Sequence, residues 1–141
     1  MSGRYPYCKR FSYPHMIGED IPIWERFIVK FPDRFDSVDY DWRVGKGMEI
    51  NQGWEDNIQR MATMITQKRI DVLGWNGERP TIIEVKKAVN ISTLGQVLGY
   101  QILFVHDFPH IHKPEILVVT EFLGGDDRLV LDSYAVPIEV V

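Results

Sequence analysis

Residues 69–87, RIDVLGWNGERPTIIEVKK, hold the most chemically suggestive spacing in the chain. Asp71 precedes an Asn76-Gly77 pair, the strongest short signal for a two-stranded turn. Glu84 and Lys86 follow it two residues apart. In a strand, side chains alternate between faces, so Glu84 and Lys86 share one face while Ile83 and Val85 point into a core. A hairpin in that register brings Asp71 close to Glu84. Two carboxylates and an ammonium then occupy one small area. Hard carboxylate oxygens hold Mg²⁺, and a lysine beside them orients water and stabilises developing negative charge. Phosphodiester hydrolysis needs such a set. By itself Glu-x-Lys is an ordinary alternation at a solvated strand end. What raises it is the acid across a turn, the apolar strand around it and the helix that follows. That helix carries Gln96 and Tyr100, four apart and therefore on one face.

The elements that must position these residues read as follows. Asp20 before Pro22 marks a helix start, and Trp24, Phe27, Ile28 and Phe31 recur at helical spacing up to Pro32. Ser37–Val44 reads as a strand with Val38, Tyr40, Trp42 and Val44 on one face. Residues 45–62 are ambiguous: Trp54 to Ile65 suits either a short helix or a long loop. Strands are expected over Lys68–Trp75 and Thr81–Val85. The longest helix is expected over Ile91–Phe108, with Leu94, Val97, Leu98, Ile102 and Val105 as its apolar stripe and Gln96 and Tyr100 off it. Glu115–Thr120 reads as a buried strand, Asp126 as the cap of a short helix through Tyr134, and Val136–Val141 as a last strand. This order implies an α/β fold, a sheet with helices on its faces.

Asp71, Glu84-Val85-Lys86 and Gln96-Val97-Leu98-Gly99-Tyr100 together resemble the core signature of the PD-(D/E)xK nuclease superfamily, in its RecB-like Q-xxx-Y form. Upstream, WERFIVKFPDRF (residues 24–35) followed by YDWRVG is similar to NucS-type DNA endonucleases. The resemblance covers roughly residues 20–108. It implies a restriction-endonuclease-like mixed β-sheet core flanked by helices. It also implies a metal-dependent DNA endonuclease, structure-selective for branched, mismatched or single-strand-containing DNA, of the kind used in repair or recombination. Asp71 and Glu84 would be metal ligands with the Val85 carbonyl as a third, and Glu25 would be the helix acid that helps hold the metal or its water. Lys86 would be the catalytic lysine, Gln96 would position it or the DNA backbone, and Tyr100 would support the site. The cofactor would be Mg²⁺ or Mn²⁺. Three departures stand out: Ile70 at the nominal proline position, a longer segment at residues 46–66, and no second domain.

The totals fit this reading. The chain has 141 residues, the size of a single domain spanning 1–141, and 45% apolar residues, enough for a core. Its single cysteine, Cys8, suits a reducing compartment and excludes a cysteine-rich metal site. No apolar run is long enough to span a bilayer, and the N-terminus lacks an apolar signal stretch. A cytoplasmic protein without a membrane partner is expected. A net charge of −4 argues against a general polyanion coat but not against a nuclease with a local basic surface. Residues 1–18 carry Arg4, Lys9 and Arg10 and no acid, an N-terminal arm either touching nucleic acid or laid over the core by its aromatics.

Residues 46–61 hold Glu49, Trp54 and Glu55 and read as either a DNA-facing loop or a packing element, with Glu55 as the substitute acid if Glu25 stands elsewhere. His106, His110 and His112 lie in a proline-bracketed loop and read as solvated. DNA is the expected partner, met by a homodimer or a subunit of a larger complex, because a two-fold pair presents two centres to two strands. The rival expectation is a non-catalytic nucleic-acid-binding or structural protein that keeps the nuclease fold.

Overall fold

A computed structural model describes residues 2–47 and 56–141, excluding the side chains of 62–65. The chain forms one six-stranded sheet whose spatial order repeats the chain order: β1 (Tyr5–Pro6), β2 (Ser37–Val44), β3 (Lys68–Asn76), β4 (Arg79–Ala88), β5 (Glu115–Phe122) and β6 (Ile138–Val140). The first four strands pair antiparallel, and β4, β5 and β6 pair parallel, so the sheet is mixed. Parallel neighbours need crossovers. α3 (Ile91–Asp107) joins β4 to β5, and α4 (Gly125–Ser133) joins β5 to β6. α1 (Ile21–Lys30) precedes β2, and α2 (Asp56–Thr66) precedes β3. The expected α/β sheet with helices on its faces is present.

Each face of the sheet has its own core. On one side Trp24, Phe27 and Ile28 of α1 pack on Val38, Tyr40, Val72, Ile83, Val85, Leu117 and Val119. On the other, Tyr100 and Phe104 of α3 pack on Val44, Ile70, Leu73, Trp75 and Ile82. Val97 and Leu131 continue this layer toward α4. β4 is therefore covered on both faces, and Ile82 and Ile83 are fully buried. The N-terminal segment lies over the first core by its aromatics: Tyr5, Tyr7 and Tyr13 pack there, and the Arg10 guanidinium sits 4.1 Å from the Tyr5 ring centre. No helix among the described residues is long and apolar enough to cross a membrane.

Several sequence expectations change in detail. The β2 side chains do not share one face. Val38 and Tyr40 enter the α1 core, while Val44 enters the α3 core with Trp42 against it. The switch occurs at Asp41, whose φ of 54° reverses the alternation. In α3 the buried face is Thr93, Val97, Tyr100 and Phe104, whereas Ile102 is 68% and Val105 41% exposed. Tyr100 belongs to the core face because the aromatic cluster of Trp42, Trp75, Phe104 and Phe108 draws that side of the helix inward. The ambiguous stretch contains α2; Glu49, Trp54 and Glu55 lie outside the described residues. The last strand is shorter than expected, β1 went unread, and Gly124 takes the cap position assigned to Asp126.

The β3–β4 connection is a two-residue hairpin, but its loop is Gly77-Glu78, one residue later than the Asn76-Gly77 signal places it: Asn76 pairs with Arg79, and Gly77 has φ 59°. Three other glycines test the packing from opposite directions. A Cβ on Gly74 would stand 2.7 Å from the buried Phe35 ring, while Cβ atoms on Gly95 and Gly99 in α3 would meet nothing within 4 Å. In urea denaturation, Gly74→Ala should lose about 1–3 kcal/mol by overpacking. Gly95→Ala and Gly99→Ala should each gain roughly 0.5–1 kcal/mol from helix propensity. Equal effects at the three positions would contradict this packing.

Candidate active site

The β3–β4 ladder runs from the turn to Val72 opposite Ile83 and stops there. Beyond that pair the two strands part. At the parting, the Asp71 carboxylate reaches across and its Oδ2 accepts the Val85 backbone N–H at 3.1 Å. A side chain thus replaces the main-chain acceptor that a continued ladder would have supplied. The N–H and C=O of one extended residue project toward the same edge, so the Val85 carbonyl is aimed into the same gap. Glu84 stands opposite Asp71 and is only 5% exposed. Period two places Lys86 on the face of Glu84, and Ile83 and Val85 lie in the opposite core.

α3 completes the row. The Lys86 Nζ donates to Gln96 Oε1 at 2.9 Å, and Gln96 Nε2 donates to the Tyr100 hydroxyl oxygen at 3.4 Å. Gln96 and Tyr100 are one helical turn apart, and the turn that buries Tyr100 aims Gln96 at the lysine. The helix is anchored at its start by Asn90, whose carbonyl accepts the Thr93 N–H at 3.0 Å while the Thr93 hydroxyl accepts the Asn90 N–H at 3.2 Å.

These residues line one cleft of about 520 Å³, walled also by Ile17, Glu19, Asp20, Lys87, Ala88 and Phe122. Asp71, Glu84, Lys86, Gln96, Tyr100 and Val85 are therefore gathered as the sequence spacing led us to expect. Glu25 is not among them. Its carboxylate accepts from the Tyr13 hydroxyl at 3.0 Å and borders a separate cleft with Lys9, Arg26 and the C-terminal Val141. The acid that α1 brings to the site is Asp20, at its N-terminal end and 7% exposed. The sequence marks Asp20 only as the start of a helix. In the structure its side chain makes no capping hydrogen bond, so it is left to the cleft. An acid at a helix start with proline two residues on was the one signal, and it pointed to a different role. The exposed His106 bonds Asp107, and among the described residues no three histidines, cysteines or acids converge into a metal-holding group.

The electrostatics of the cleft are strained. Burial raises the Glu84 carboxyl well above the usual carboxylate range, and the neighbouring Asp71 charge raises it further, against the lowering effect of Lys86. Burial likewise raises Asp71, offset by the Val85 N–H. Burial and then the charge of Glu19 raise Asp20. Two carboxyls this close share a proton and titrate as a pair. Glu84 Oε2 is buried with no hydrogen-bond partner. Tyr100 is pushed up to about 12, first by burial and then by the Glu84 and Asp71 charges, so it remains a neutral hydroxyl.

The chain matches no known protein family, no curated protein and no solved structure.

A carboxyl raised in the folded state contributes full stability below its unfolded value and loses it as pH climbs through the folded one. The folded protein thus carries a penalty at neutral and higher pH that Glu84→Gln removes. Thermal unfolding in a metal-free buffer should show the variant equal to wild type near pH 4 and more stable by about 1–2 kcal/mol at pH 8. A variant equally stable or less stable at pH 8 would show that Glu84 is not under this repulsion.

Proposed function

We propose that the protein is a Mg²⁺- or Mn²⁺-dependent DNA endonuclease whose centre is Asp71, Glu84 and Lys86, with the restriction-endonuclease-like arrangement of the PD-(D/E)xK nucleases. One observation carries the reading: a buried Glu84 oxygen without a donor faces a second carboxylate, beside an ammonium held by a glutamine. A structural pair of acids would be satisfied by N–H groups. Here only Asp71 has one, from Val85, and a divalent cation would displace the shared proton and satisfy the Glu84 oxygen. The donor set fits that ion. Asp71, Glu84 and the Val85 carbonyl are hard oxygens, too few to surround a cation, and Mg²⁺ retains several waters in such sites. When bound, the metal would lower the pKa of a coordinated water and neutralise charge on the phosphoryl oxygens.

The chain's own residues do the rest. Gln96 takes one of the three Lys86 donors, which fixes the ammonium and leaves two for the attacking water and a phosphate oxygen. Tyr100, neutral and buried, holds Gln96. Asp20 adds a further acceptor on the α1 side of the cleft for the water's proton. Replacing the acids by alanine removes metal affinity, whereas replacing Gln96 frees a lysine that is still present.

The test is cleavage of labelled duplex, single-stranded, flap, mismatched and four-way-junction DNA with Mg²⁺ or Mn²⁺. Wild type should cut at least one of these. Glu84→Ala and Lys86→Ala should lower the rate by roughly 10³-fold or more, and Gln96→Ala by about 10–100-fold. Calorimetry should find Mn²⁺ binding that Glu84→Ala abolishes and Lys86→Ala retains. A protein that binds DNA but neither metal nor cuts would instead be a non-catalytic nucleic-acid-binding protein of the same fold.

A further inference from the structure

Beside the cleft stands a second charged group that the proposed chemistry does not use. Asp41 lies 3.6 Å from His15 Nε2, 3.6 Å from Arg69 Nε and 3.9 Å from Arg43 Nη2. His15 Nδ1 and Arg69 Nη1 are 3.2 Å apart. Among the described residues, the other ion pairs each join one cation to one acid. Here two guanidiniums and an imidazole share one carboxylate, a local positive excess in a chain of net charge −4.

Two features of this group cost stability. Arg43 and Arg69 are directly opposed across β2 and β3, where like charges disfavour pairing. His15 and Asp41 both adopt the left-handed region, at φ 53° and 54°. Side-chain-bearing residues take that conformation at a cost, and such strain collects where function requires it. The geometry it produces is directed: Asp41 is 11% exposed, while the Arg43, Arg69 and His15 side chains are 28%, 34% and 59% exposed. The acid is sunk beneath, the two guanidiniums keep donors toward solvent, and His15, accepting from Arg69 at Nδ1, braces them.

The chain ties this group to the cleft. Asp41 falls between the pairs Tyr40–Val72 and Trp42–Ile70, the place on β2 opposite Asp71. Arg69 is two residues before Asp71, and His15 is two residues before Ile17, which lines the cleft. A polyanion approaching a cleft of four acids, Glu19, Asp20, Asp71 and Glu84, needs positive charge at the rim. Guanidinium forks suit phosphate oxygens best.

We propose that Arg43 and Arg69, gathered by Asp41 and braced by His15, form a phosphate-binding subsite. It takes a backbone phosphodiester of the nucleic-acid substrate other than the one cleaved. The assignment rests on the nuclease reading for its ligand but not for its geometry.

The test is binding of a short fluorescein-labelled DNA duplex and single strand across a salt series in Ca²⁺, by wild type, Arg43→Gln, Arg69→Gln and the double variant. Each single variant should bind roughly 3–10-fold more weakly at about 0.1 M salt, and the slope of log affinity against log salt should fall by about one per arginine lost. Arg43→Gln leaves the Arg69–Asp41 pair intact and guards against a folding failure in the other. Unchanged affinity and slope in these variants, even with a lowered Tm, would overturn the subsite and leave an ion network that only fastens the His15 segment; so would a wild type that binds neither DNA. Variants that still cut DNA with an unchanged slope would sink the subsite but not the nuclease. A reduced slope in a protein that cuts nothing would keep the subsite and sink the nuclease.

Discussion

The parting of β3 from β4 at Asp71 is the constraint on which the site depends. Had the ladder continued, the Val85 amide and carbonyl would be spent on β3 and no cleft would open. Instead one Asp71 oxygen takes the Val85 N–H, which settles the buried donor without closing the gap. That single bond holds Asp71 opposite Glu84 and leaves its other oxygen for the cleft. It also sets where Lys86 emerges, because β4 stays straight and paired to β5 through this region. Lys86, Gln96 and Tyr100 then line up only because α3 is clamped above β4 by Tyr100 and Phe104.

The arrangement opposes stability at its centre and recovers it at the flanks. Of the three raised carboxyls, Glu84 sits on β4, a strand that is among the best-buried parts of the molecule. Ile82 faces one core and Ile83 and Val85 the other. Apolar burial on both faces of β4 supplies the surplus that charge repulsion withdraws. The same logic places the strained Asp41 beside the well-packed Tyr40 and Val44 rather than at a frayed edge.

What was legible in the sequence follows from the range of the rule that reads it. Glu84 with Lys86, and Gln96 with Tyr100, are set by the periods of a strand and a helix, which are local. Asp71 with Glu84 needs only a turn near Asn76-Gly77; the loop itself is Gly77-Glu78, and that register sets Asp71 opposite Glu84. Asp20 and Glu25 could not be ranked this way. Asp20 stands at the start of α1 and Glu25 in its middle, and which of them meets the cleft depends on how α1 settles on the sheet. Glu25 went to Tyr13 because the N-terminal segment folds back over that face. The α3 stripe was misjudged for a related reason: Ile102 is as apolar as Phe104 by composition, but the rings of Trp42, Trp75 and Phe108 choose the face. At Asp41 a single left-handed residue reversed the strand's alternation, and no periodicity carries that information.

The spatial order of the strands repeats their order along the chain, so no strand is inserted between two already paired. Asp71 and Val85 are 14 residues apart, joined by a two-residue turn, and their contact is among the most local that a sheet allows. Loop closure is least costly for such pairs, so the hairpin is the cheapest tertiary unit to assemble. The helix carrying Gln96 and Tyr100 comes next along the chain, and β5 can dock only after it. Burial, the largest cause of the raised Glu84 and Asp71 carboxyls, comes from the layers that close over this hairpin and not from the hairpin itself.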